Sequence, residues 1–146
     1  MEQTTVDTAE LAARLRLAVT RLARRLRQQA GSGLTPSMTA ALASVERAGS
    51  PTIGALAAAE QVSAPTMSVV VGKLEDQGLV ARETDAADRR VTRVRITAEG
   101  RRSLNRARTR KNAYLSRRLR ALDPEDVAVL ERAAEVLERL AAEDRP

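Results

Sequence analysis

The chain has no cysteine, no histidine, no tryptophan and no phenylalanine, and Tyr114 is its only aromatic residue. Without cysteine there is no disulfide, no thiol redox switch and no thiolate metal ligand. Without histidine as well, a transition-metal site or a catalytic triad lacks the side chain it most often uses. No Gly-rich phosphate loop and no clustered carboxylate pair is present, so the sequence provides no catalytic residue, no metal ligand and no cofactor site. The shortage of aromatics also argues against single-stranded nucleic acid as a partner, because such binders stack bases on aromatic side chains. No apolar run approaches the roughly 20 residues that span a bilayer, and Met1 is followed by acidic and polar residues rather than a basic, then apolar, leader. The expectation is a cytoplasmic protein with no membrane partner.

What is present in excess is arginine. The formal net charge is +6 over 146 residues, which suits a polyanionic partner, and its distribution says more than its total. Residues 82–120 hold 14 Arg or Lys against 4 Asp or Glu, whereas residues 123–146 hold 3 against 8. Basic and acidic stretches are therefore segregated along the chain. Its length suits about one domain, with an almost wholly aliphatic core.

Periodicity places helices at both ends. Leu11, Leu15, Ala18, Leu22 and Leu26 recur at three- and four-residue spacing and share one face, with Arg14, Arg21, Arg24, Arg25 and Arg27 largely around it. Gly31-Ser32-Gly33 ends this first helix. Thr35-Pro36 reads as an N-cap followed by proline in the first turn, opening a second helix that Gly49-Ser50-Pro51 breaks. A short third helix carries Ile53, Leu56 and Ala57. A long, Arg-rich helix is predicted from Ala98 to Leu122. Asp123-Pro124-Glu125-Asp126 then punctuates the chain before a last helix with Leu130, Ala134, Leu137 and Leu140 on one face.

The most informative stretch lies between these helices. Ser63 is placed to cap a fourth helix with Pro65 in its first turn. Met67, Val70, Val71 and Leu74 form its inward stripe, which leaves Pro65, Thr66, Ser68, Val69, Gly72 and Lys73 outside. Hydroxyl and small apolar groups near a helix N-terminus suit close approach to base edges and phosphates. Thr66 and Ser68 can hydrogen-bond, Val69 can meet a thymine methyl, and Lys73 stands where a phosphate would pass. An ordinary core helix with a wet outer face is the alternative, although folding alone does not require an exposed Val69.

Gly78 closes that helix with Leu79 packing back, and a hairpin follows. Val94 and Ile96 alternate with Arg93 and Arg95 as in a half-buried strand, and Leu79–Glu83 offers an antiparallel mate. The intervening turn, residues 84–90, is polar and ends in Asp88-Arg89-Arg90. An arginine on a projecting loop suits a narrow minor groove, and Asp88 is expected to orient Arg89 while Arg90 enters the groove. A helix shaped for a major groove followed by a basic hairpin is the pattern of a winged helix-turn-helix reader of double-stranded DNA.

The same residues resemble the MarR family of transcriptional regulators. The resemblance is carried by Leu34-Thr35, by Val62 to Ser68 and by Leu74 to Val80. It continues through Asp85 to Arg90 at the wing and Ile96-Thr97-Ala98-Glu99-Gly100 after it. It implies a mainly α fold with a small β-hairpin, organised as one domain over residues 1–146. Residues 34–97 would form the winged helix-turn-helix lobe, with dimerisation helices in residues 1–33 and 98–146. It further implies a homodimer on a pseudo-palindromic operator, usually a repressor released by a small aromatic or anionic effector. The apolar stripes of the terminal helices fit such a dimer, through Leu11 and Leu15 at one end and Leu130, Leu137 and Leu140 at the other. Arg16 and Tyr114 are the candidates for effector binding, with Tyr114 equally suited to a core or interface. Two positions depart from the family pattern: Val69, where a basic residue is common, and Gln61, where a glycine-like residue is expected. The cysteine of the peroxide-sensing branch is also absent. An architectural DNA-binding protein with little sequence preference is the alternative function.

Overall fold

A computed structural model describes residues 6–142. Six helices and one hairpin follow in the order α1 (Thr8–Ala30), α2 (Pro36–Ala48), α3 (Ile53–Ala59), α4 (Ala64–Asp76), β1 (Val80–Thr84), β2 (Thr92–Ile96), α5 (Ala98–Arg120) and α6 (Pro124–Ala142). The fifth helix stops short of the expected Leu122, because the Ala121 and Leu122 amides bond three residues back in a tightened turn.

Short polar side chains set the helix starts by satisfying amides that have no partner inside the helix. Asp7 accepts from Ala9 and Glu10, Thr35 from Met38, Thr52 from Ala55 and Ser63 from Thr66. Thr97 does this for α5, accepting from the Gly100 amide at 3.0 Å while its hydroxyl donates to the Gly78 carbonyl at 2.6 Å. One hydroxyl thus joins the end of the α4 turn to the start of α5. Gly100 is required at that junction, since a Cβ there would run into the Leu79 carbonyl oxygen and sit 2.7 Å from Ile96 Cγ1.

The chain separates into two compact units, one running up to Lys111 and the other from Asn112 onward. In the first, Met38, Leu42 and Val45 of α2 bury against Leu56 and Ala57 of α3 and Met67, Val71 and Leu74 of α4. Leu79, Val80, Val94 and Ile96 cover them from the hairpin and Leu104 from α5. The strands pair antiparallel with Val80 opposite Ile96 and Thr84 opposite Thr92, so the alternating residues Val94 and Ile96 face the core. Thr52 forms a further bridge to Arg93, and the Val94 amide donates to the Pro51 carbonyl at 2.8 Å. The hairpin is thereby tied to the start of α3.

Two apolar faces find no cover. Within the first unit α1 buries only Ala30, and Leu11 and Leu22 stay exposed while Leu15 is half-buried. Within the second unit α6 buries nothing, and Leu130, Leu137 and Leu140 remain exposed. Among the described residues, no helix is long and apolar enough to cross a membrane.

Candidate DNA interface

Helices α3 and α4 meet through a turn that depends on Gln61, whose φ of 55° lies in the left-handed region. The departure noted at Gln61 is therefore real in geometry: the turn demands a glycine-like conformation and a glutamine adopts it. Buried Ser44 on α2 donates a short hydrogen bond to Glu60 beside this turn and accepts from Arg47 Nη2 at 3.1 Å. The turn is held from the α2 side as a result.

Helix α4 presents its first turn outward. Pro65, Thr66, Val69 and Lys73 are exposed, and Val69 keeps 59% of its surface, as expected of a residue that packing does not use. Ser63 accepts the Thr66 amide at 3.2 Å and donates its own proton to Thr66 Oγ1 at 2.8 Å. That arrangement fixes the Thr66 side chain and leaves its hydroxyl proton available to an acceptor. Ser68 is placed differently from the expectation. It is half-buried, and its carbonyl accepts from Arg82 Nη2 at 3.0 Å, because β1 runs alongside that flank of α4.

The wing is built around two aspartates. Asp85 accepts the Ala87 and Asp88 amides at 2.7 and 3.1 Å and the Arg93 Nε at 2.5 Å. Arg93 Nη1 reaches on to the Ser50 carbonyl at 3.0 Å, which fastens the base of the wing to the loop before α3. Hydrogen bonding from Arg93 first, and then from the two amides, holds the Asp85 carboxyl below its ordinary pKa. Asp88 does not orient Arg89 as the sequence suggested. It binds Arg90, which donates through its backbone amide, Nε and Nη2, and this pairing lowers the Asp88 pKa. The tight turn from Asp88 to Val91 brings Arg90 back over Asp88, whereas Arg89 is exposed with no hydrogen-bond partner among the described residues. The pairing with Asp88 that was expected of Arg89 thus belongs to Arg90.

Of the effector candidates, Arg16 is exposed on α1 and Tyr114 is half-buried on α5. A cavity of about 250 Å³ in the first unit lies where the end of α1 meets the start of α2 and is lined by Arg24, Arg27 and Lys111 beside Ala30, Leu34 and Pro36. Arg24 and Arg27 belong to the arginine set of the first helix, but nothing in their spacing set them apart from the other cations on it.

A buried three-helix unit, an outward α4 and a basic hairpin anchored beside it define a winged helix-turn-helix DNA-binding protein. The MarR family profile matches residues 32–91. An HTH-type transcriptional regulator of Mycobacterium leprae is 36% identical over 130 residues, covering 88% of this chain and 91% of the relative. A transcriptional regulator protein from Pseudomonas aeruginosa has a similar structure, with a TM-score of 0.83 at 36% identity over 94% of this chain and 99% of its own. A MarR family protein from Bacillus stearothermophilus superposes with a TM-score of 0.77 at 27% identity, over 92% and 94% of the two chains. The chain belongs to the MarR family and is a DNA-binding transcriptional regulator.

Proposed function

We propose that this regulator works as a homodimer that represses transcription from a pseudo-palindromic operator and releases it when a small anionic ligand binds. The uncovered apolar faces of α1 and α6 carry the dimer reading, since soluble monomers rarely leave long apolar stripes in water. A two-fold dimer presents two copies of α4, so its operator would contain two half-sites with centres about 10 base pairs, one helical turn, apart. In each copy, Ser63, Pro65, Thr66, Ser68, Val69 and Lys73 would serve the major groove, and Asp88, Arg89 and Arg90 the wing contact. Of these, Ser68 would contribute by supporting the helix through its carbonyl rather than by touching a base.

Arg16 and Tyr114 remain candidates for the effector, and the cavity at the α1–α2 junction adds a second candidate site. Three cations beside an apolar wall suit a carboxylate or phenolate carried on a small ring. The architectural alternative gains no support, since the relatives are transcriptional regulators.

Footprinting tests the reading. A protected region with two-fold symmetry is expected, and an asymmetric one counts against it. Leu137→Glu, which puts a charge on the α6 stripe, is expected to yield monomers in sedimentation and to lose tight operator binding. An unaltered dimer would reject that interface.

A further inference from the structure

The crease between α4 and the hairpin holds a cation, Arg82, that is not one of the residues assigned above to the DNA surface. Arg82 projects from β1 across the flank of α4. Its Nη2 donates to the Ser68 carbonyl at 3.0 Å, and its Nε lies 3.6 Å from Glu75 Oε1. The guanidinium lies against α4 at Gly72, where a Cβ would stand in ordinary contact with Nη2 at 3.6 Å. A guanidinium has five N–H donors, and these two contacts do not exhaust them. The side chain keeps 33% of its surface, and the crease it faces is also lined by Thr52, Thr92 and Arg90. Two arginines and two threonines therefore line one open cleft, with Arg90 held by Asp88 and Arg82 paired with Glu75.

The geometry of a duplex says what would occupy it. A major groove and the minor groove next to it are separated by one sugar-phosphate strand. A protein that puts α4 in the first and its wing in the second must carry that strand over the crease between them.

We propose that Arg82 binds the phosphodiester of that strand, so that Ser68 and Glu75 hold in advance a guanidinium that clamps the backbone between the two grooves. The proposal rests on the reading that α4 and the wing engage the same duplex. Preorganisation is its physical basis: a guanidinium already fixed by a carbonyl loses less side-chain freedom on binding than a free surface arginine. Arg82 then positions the protein on the duplex and reads no base.

The test compares the wild-type protein with Arg82→Gln and Arg82→Lys in operator titrations over a salt series, together with phosphate-ethylation interference. Arg82→Gln is expected to weaken operator and unrelated duplex in similar proportion and to flatten the salt dependence by about one unit of slope for each arginine removed. Arg82→Lys keeps the charge and is expected to keep the slope. Ethylation of the phosphate between the helix and wing footprints should block the wild-type protein and become indifferent to Arg82→Gln.

An unchanged slope in Arg82→Gln, with interference retained, would overturn the proposal and leave Arg82 a purely structural tie. A change of base preference alone would overturn it as well. If Arg82→Gln does not fold, the wild-type protein decides, because absence of interference at that phosphate is sufficient to reject the contact. Failure of the underlying reading looks different: the wild-type footprint would then lack either the major-groove or the wing contact.

Discussion

Asp88 grips Arg90 with both carboxylate oxygens, Nε to Oδ1 at 3.1 Å and Nη2 to Oδ2 at 3.2 Å. The Arg90 side chain is nonetheless 91% exposed, so the pair lies in water and adds little to folding stability. Its effect is on shape, since the same Oδ1 also receives the Arg90 amide and closes the tip of the wing.

The first prediction follows from that pairing. Arg89, which is free, is the arginine expected in the minor groove. Arg89→Ala should therefore lose most affinity on operators with narrow, A·T-rich flanks and less where G·C pairs widen the groove. Asp88→Ala should weaken binding although it removes a negative charge, because the tip loses its internal tie. A double-mutant cycle by operator titration is expected to show coupling of Asp88 to Arg90, its partner in the tie, and to Arg89, which the closed tip presents. Tighter binding by Asp88→Ala would mean that the hairpin acts only as diffuse positive charge.

A second prediction separates reading from holding on α4. Ser63 fixes Thr66, so Thr66→Ala should relax preference at one base position per half-site, at a cost on the order of 1 to 3 kcal/mol. Lys73 is exposed in the last turn of the same helix, and Lys73→Ala should lower affinity for all duplexes alike and flatten the salt slope by about one unit for each lysine removed. Selection from a randomised operator pool, run beside the salt series, checks both. Altered base preference in Lys73→Ala would reverse the two assignments.

The third prediction concerns the turn between α3 and α4. Gln61 has a left-handed conformation that costs an L-residue roughly 1 kcal/mol. Gln61→Gly should therefore leave stability unchanged or raise it by up to about 1 kcal/mol, the strain released being partly offset by the freer unfolded chain. Gln61→Ile, branched at Cβ, should lower it. Urea denaturation measures both, and a clear loss in Gln61→Gly would show that the glutamine side chain supports the turn by contacts of its own.

A fourth prediction gives the wing its pH dependence. The folded-state pKa of Asp85 is depressed, chiefly by the Arg93 hydrogen bond, so its contribution is fully present above the ordinary aspartate value. It is lost only as pH falls through the lowered value, below about pH 4. Amide shifts of Ala87 and Asp88 followed by NMR should hold steady from neutral pH to that point and then move together. Asp85→Asn should abolish the step and loosen the wing at neutral pH. Movement of these amides between pH 5 and 7 would contradict the assignment.

Much of this was legible along the chain because its causes are local. Thr35 and Ser63 cap helices through amides three residues away, and Met67, Val71 and Leu74 fall inward by helical period alone. The alternation of Val94 and Ile96 with arginines sufficed to find β2. Together these features write the winged helix-turn-helix order into the sequence.

The choice of partner for each arginine was not readable in this way, since any of several carboxylates or carbonyls satisfies a guanidinium equally well in sequence. The turn conformation gave Asp88 to Arg90 rather than Arg89. The packing of β1 on α4 brought Arg82 to the Ser68 carbonyl, and the fold of the hairpin onto the α3 loop brought Arg93 to Ser50. Capping and period act within a turn of chain and leave a trace in spacing. Long-range hydrogen bonds depend on how elements dock, and only the tertiary structure decides which of many equivalent charges meet.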